Sequence, residues 1–189
     1  MTSPLEPNAL QAATTALNTA PLALGEAVSL VPSAVGIYAW WAAPTIFADL
    51  PGTANGSDPA VRLLYLGIAE RKSGLRTRIV KEHLARSGSS TLRRTLAGLL
   101  MSTERYETAW TDRVVLVAAD ELRLTAWMHA NLRLTWFACE DPEQHEKNLI
   151  TSLRPPLNLK QAVPSAALTT VKAAKVAYTK SAGPRPLAP

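Results

Sequence analysis

Two apolar, aromatic runs of strand length dominate the first half of the chain: Val35-Gly36-Ile37-Tyr38-Ala39-Trp40-Trp41 and Val61-Arg62-Leu63-Leu64-Tyr65-Leu66-Gly67-Ile68. Between them, residues 51–59 (Pro-Gly-Thr-Ala-Asn-Gly-Ser-Asp-Pro) carry every common turn signal and no periodicity. Strands so joined favour antiparallel pairing as a hairpin with a long connection.

The rest of the chain supplies what would cover it. Asn8 can cap a helix from Ala9 to about Asn18, within an N-terminal arm over residues 1–30. Helical spacing follows from Leu75 to about Ala85, and again from Ser90 or Thr91 through Leu92, Leu96, Leu99 and Leu100. Residues 113–118 form a short β-branched run, Asp120 is placed to cap a further helix, and Leu132–Ala138 alternates as a strand. Asp141-Pro142 opens a last helix that stops before Pro155-Pro156. The pattern is α+β, a small and mostly antiparallel central sheet flanked by helices. A chain of 189 residues holds one such domain, here over 31–160. Residues 161–189, rich in Ala, Pro, Thr, Ser and Lys, are expected to form a flexible basic tail.

The distribution of charge says more than its total. Residues 160–189 contain Lys160, Lys172, Lys175, Lys180 and Arg185 and no acid, which accounts for the whole net charge of +5. Within the balanced remainder, residues 70–94 carry eight Lys and Arg against only Glu70 and Glu82. Such a cluster is either a solvated helix face or a surface for phosphate. Cys139 is the sole cysteine, which rules out an internal disulfide and matches no zinc spacing. No run approaches the roughly 20 apolar residues of a membrane span, and residues 1–61 lack Lys and Arg. A cytoplasmic location, with no membrane contact, is the expectation.

Four sequence elements now fall into one order. Gly36-Ile37-Tyr38 is followed by Tyr65-Leu66-Gly67, then by the arginine helix beginning Leu75-Arg76-Thr77-Arg78-Ile79. Glu146-Lys147-Asn148-Leu149-Ile150 and Pro155-Pro156-Leu157-Asn158 close the series. Together they resemble the GIY-YIG nucleases across residues 31–159. The resemblance implies an endonuclease that uses Mg2+ or Mn2+ to hydrolyse phosphodiester bonds in nucleic acid, most simply DNA. It implies Glu146 as metal ligand, Arg78 on the scissile phosphate, and Tyr38, supported by Tyr65, on the attacking water. Asn158 would brace the Glu146 helix or bind substrate, and Arg76 would bind substrate.

The chemistry asks for the same residue types. An anionic phosphodiester needs charge neutralised, a nucleophile activated and a leaving oxygen stabilised. A single carboxylate can suffice for magnesium, which keeps several of its waters, and a guanidinium fork matches a phosphate. A phenol titrates near ~10, so a tyrosine base requires its pKa lowered, with the basic cluster as the expected source. His83, near ~6.5, is the better placed general base at neutral pH. It falls five residues after Arg78, about 140° around an ideal helix, where a spacing of four would align them. Either a π-type bulge realigns the two, or His83 pairs with Arg76, seven residues earlier, and the identity of the catalytic arginine turns on which. His129 and His145 are expected at the surface or in packing, and the five tryptophans in the core. Two other readings compete: a non-catalytic nucleic-acid-binding module that kept the fold, and a regulatory protein whose basic cluster binds another protein.

Overall fold

In the computed structural model, which describes residues 7–159 and 164–186, strand β2 (Gly36–Ala42) is buried along its whole length. It pairs antiparallel with β3 (Arg62–Ala69) on one side and with β6 (Leu132–Ala138) on the other. A short β1 (Leu22–Ala23) extends the sheet beyond β6, giving the order β1-β6-β2-β3. A central strand covered on both faces has no polar alternation to show, which is why residues 36–42 read as one apolar run. The expected hairpin is present as β2 and β3.

Each face of the sheet has its own core. On one, Ile37, Ala39, Trp41, Leu63 and Leu66 meet Ala13 and Leu17 of helix α1 (Pro7–Leu17) and Leu149 and Ile150 of α6 (Pro142–Leu153). On the other, Tyr38, Trp40 and Leu64 join a larger cluster with α2 (Leu24–Leu30), α4 (Thr91–Glu104) and α5 (Ala118–Asn131). Between β3 and α4 runs α3 (Gly74–Arg76), which passes without a break into a π-helical segment, Thr77–His83. The architecture is α+β with a small antiparallel sheet between helices. No described helix is long and apolar enough to cross a membrane. Of the expected N-terminal arm, α1 and α2 pack on the domain, and residues 1–6 lie outside the described residues.

Three expectations require correction. Residues 166–180 are not a flexible tail: they form helix α7 (Ala166–Lys180), and residues 161–163 and 187–189 of that expected tail lie outside the described residues. Leu168, Val171 and Tyr178 are buried at spacings of three and seven, an apolar stripe that the abundant Ala and Lys disguise. Ser165 caps the helix, its Oγ accepting from the Leu168 N–H at 3.1 Å. Second, Asp120 does not cap α5, which begins at Ala118. Its carboxylate accepts from the Glu107 N–H and from Arg123, each at 2.6 Å, and so ties the helix to the preceding hairpin. Third, Asn8 lies inside α1, which begins at Pro7, rather than at its cap. The β-branched run at 113–118 does supply a strand: β5 (Val114–Leu116) pairs with β4 (Thr108–Trp110).

The seat of α7 is a glycine. A Cβ on Gly98 of α4 would lie 2.4 Å from the carbonyl oxygen of Ala174, so only the absence of a side chain lets the two helices approach this closely. Gly98→Val should therefore destabilise the protein by about 1–3 kcal/mol through overpacking. Urea unfolding measures the loss, and an unchanged midpoint would show that α7 is not seated there.

Candidate active site

A cleft of about 640 Å³ opens where the edge of β3 meets α6 and α7, and Tyr38, Tyr65, Arg78 and Glu146 all line it. Four separate elements deliver these groups. Tyr38 and Tyr65 come from the paired strands: Tyr38 lies opposite Gly67 and Trp40 opposite Tyr65, so both tyrosines share one face. Gly67 makes room for the first phenol, since a Cβ there would lie 2.5 Å from the Tyr38 hydroxyl. The glycine of the second tripeptide is thus the clearance for the tyrosine of the first.

The π-helical segment settles the spacing between Arg78 and His83. In this segment the N–H of Leu84 donates to the Ile79 carbonyl five residues back, at 2.9 Å. Five residues are then one hydrogen-bonded repeat, so Arg78 reaches the cleft while His83 lies behind Tyr38. The bulge alternative is the one realised. Arg76 turns away, its Nη1 donating to the Val28 and Val31 carbonyls at 3.1 and 3.3 Å, and it takes no part in lining the cleft.

His83 is fully buried and bonded at both ring nitrogens. Nε2 lies 2.6 Å from the Tyr38 hydroxyl and Nδ1 lies 2.6 Å from Ser90 Oγ. Ser90 is also the N-cap of α4, accepting from the Arg93 N–H at 3.0 Å. Burial pushes the His83 pKa well below its usual value, and the nearby Arg78 and Arg93 charges push the same way. The ring is therefore neutral at neutral pH, with one nitrogen donating and the other accepting. In the tautomer with hydrogen on Nδ1, Nε2 accepts the Tyr38 proton.

Tyr38 itself departs from the sequence reading. Burial, reinforced by Tyr65, raises its pKa well above that of a free phenol and outweighs the adjacent Arg78. The basic cluster does not convert it into a ready tyrosinate. Tyr65, half-buried, is likewise raised, chiefly by burial. Arg78 ion-pairs with Glu82 one turn on and donates to the Ser89 carbonyl at 3.1 Å. Burial opposes its charge, but the Tyr38 phenol and the Glu82 carboxylate more than compensate, leaving it firmly protonated.

Asn158 lies on the cleft wall with both ends of its amide in use. Nδ2 donates to the Leu66 carbonyl at 2.7 Å and Oδ1 accepts from the Leu66 N–H at 2.9 Å. It behaves as one more residue of sheet along the outer edge of β3, bracing the strand that carries Tyr65. His129 is exposed and His145 buried, both outside the cleft lining, as expected; all five tryptophans pack in or against the core.

Glu146 stands half-buried on α6 at the cleft. Among the described residues no three His, Cys, Asp or Glu side chains gather as a metal cage. A magnesium ion does not need one, because it commonly takes one or two carboxylates and fills its remaining positions with water and phosphate oxygens. Glu146, with Glu70 also on the cleft wall, fits that demand.

Several site residues escape a reading of the sequence: Ser90, Glu82 and the cleft lysines Lys72 and Lys175, while Gly67 is legible only as a member of its tripeptide, without its role. Ser90 and Glu82 leave signals, a serine three residues before Arg93 at a helix start and an acid four residues after Arg78. Neither signal says what the side chain touches.

The fold and this cleft agree with the comparison of the sequence with protein families. The description "GIY-YIG catalytic domain" matches residues 36–177, and the chain belongs to that family. Nuclease-type activity and a nucleic-acid substrate follow at the level of the family. No curated protein and no solved structure matches the chain significantly.

The buried neutral His83 has a consequence for stability. Below about pH 6.5 the unfolded imidazole binds a proton and the buried one resists it, so stability falls as pH falls, by up to about 1.4 kcal/mol per pH unit. His83→Gln should flatten this slope. Urea unfolding between pH 7.5 and 5 tests it, and equal slopes for the two proteins would show that His83 is not held neutral.

Proposed function

We propose that the protein is a divalent-metal-dependent endonuclease that hydrolyses phosphodiester bonds in DNA. The observation that supports this most is the convergence of Tyr38, Tyr65, Arg78 and Glu146 on one cleft, with His83 bonded to Tyr38 from behind. These are the groups that hydrolysis of a phosphodiester asks for.

The residues divide the work. Arg78 holds the scissile phosphate and meets the charge that grows on its oxygens, a task suited to a guanidinium that stays protonated. To do so it must share itself with, or leave, Glu82. The attacking water gives its proton to the Tyr38 oxygen as the Tyr38 proton passes to His83 Nε2, 2.6 Å away. The high pKa of the phenol is no obstacle to such a relay, because tyrosinate never has to exist free, and a phosphate anion held against Arg78 offsets one of the charges that, with burial, disfavour a proton on His83. Ser90 holds the imidazole in line through Nδ1. Tyr65 lies beside Tyr38, ring centres 6.5 Å apart, and helps to orient the water. Glu146 would hold Mg2+ or Mn2+, which when bound supplies Lewis-acid stabilisation of the phosphate. The setting we propose for this activity is cytoplasmic, where the lone Cys139 thiol would stay reduced.

Supercoiled plasmid, incubated with the protein with and without magnesium beside Glu146→Ala, tests the reading. Nicking should require metal and fall about 10³-fold or more in the variant, as loss of a Lewis acid worth several kcal/mol implies. Binding without cleavage, across several metals and with branched and single-stranded DNA as well, would instead make this a binding module that kept the fold.

A further inference from the structure

The nuclease reading assigns no role to α7, yet α7 forms part of the cleft. Lys175 lines the cleft together with Tyr38, Arg78 and Glu146. The same lysine, with Leu159, also lines a shallow groove of about 520 Å³ beside α7, together with Lys172, Val176, Thr179 and Lys180. The two depressions therefore share a wall, and the path from the scissile position to the groove runs over Lys175.

Along α7 itself the charge is of one sign. Residues 164–186 contain no Asp or Glu, and among the described residues no ion pair involves Lys172, Lys175 or Lys180. Lys175 is half-buried, and burial together with the nearby Arg94 disfavours its charge. Holding cations together without an acid between them is unfavourable until an anion arrives. The helix that carries them is firmly seated by Val171, Tyr178 and the close approach at Gly98, so their spacing is fixed in advance. Lys172 and Lys180 are eight residues apart, about 12 Å along a helix, or three to four nucleotide steps at ~3.4 Å each. Among the described residues, the aromatic rings lining the cleft or the groove are those of Tyr38 and Tyr65, neither of which lies on α7, so the helix offers bases nothing to stack on.

We propose that Lys172, Lys175 and Lys180 form a phosphate ridge that guides the DNA backbone away from the scissile bond without reading its sequence. The ridge rests on the nuclease reading of the cleft and adds to it a direction of travel for the bound strand. Lys175 is the hinge between the two surfaces, and Lys172 and Lys180 are the exposed grips beyond it.

The test measures binding of the full chain to two fluorescent duplexes of unrelated sequence, with metal chelated, between about 50 and 200 mM salt. The intact protein is compared with the Lys172→Gln/Lys180→Gln double variant, both positions being exposed and neutral in packing; circular dichroism confirms that both proteins remain folded. Removing one lysine from a phosphate should lower the slope of log affinity against log salt by about one. The slope of the double variant should therefore be smaller by about two, with affinity falling alike on both duplexes. Unchanged slope and affinity, while the intact protein binds with steep salt dependence, would overturn the ridge and leave the nuclease reading intact. A weakening confined to one duplex would overturn it too, because bases would then be read. Absence of salt-dependent binding by the intact protein would overturn the ridge, while the plasmid-nicking experiment separately decides the nuclease reading.

Discussion

The complete burial of β2 is the constraint from which the site follows. A strand covered on both faces can carry Tyr38 only if the phenol finds a partner, because an unsatisfied buried hydroxyl is costly. His83 is that partner, and a buried imidazole in turn needs a second bond, which Ser90 provides. Ser90 is also the residue that starts α4, so the chain of polar contacts is tied into the backbone. Arg93, three residues on, is buried as well and holds Glu121, Thr125 and the His83 carbonyl, locking α4, α5 and the π-helical segment together. The phenol at the cleft wall is anchored behind by three helical segments.

Much of this can be read from the sequence, and the limits have a physical origin. The strands, their pairing and the position of α6 follow from local patterns: apolar runs, turn residues, a proline after an aspartate. The tyrosines, Arg78 and Glu146 are legible because their order along the chain is itself a signature. The roles of Ser90, Glu82 and Gly67 are not, because their importance lies in which distant atom each touches. Gly67 matters for the ring of Tyr38, which lies 29 positions earlier in the chain and belongs to another strand. The pKa of Tyr38 defeats a sequence reading for a related reason. Counting cations along a sequence measures charge but not burial, and burial prevails here. Helix α7 is hidden by composition: three large apolar residues among Ala, Thr and Lys suffice to dock a helix when a glycine waits on the other side.

The cleft and α7 together divide charge in a way that the overall figure of +5 conceals. Within the cleft, acids and bases interleave: Glu82 meets Arg78, and Glu146 and Glu70 line the same walls as Lys72 and Lys175. Along α7 the acids disappear. A balanced pocket suits chemistry that moves protons and charge, and an unbalanced helix suits a long anion.

The π-helical segment has an implication for how such a site tolerates change. The alignment of Arg78 with His83 depends on how many residues separate them as much as on which residues they are. Point substitutions between them leave the frame intact, whereas gain or loss of one residue turns one functional group away from the other while preserving every side chain. Length is here a sequence variable in its own right. Two chains could share every residue of the cleft and still differ in its geometry by a single codon.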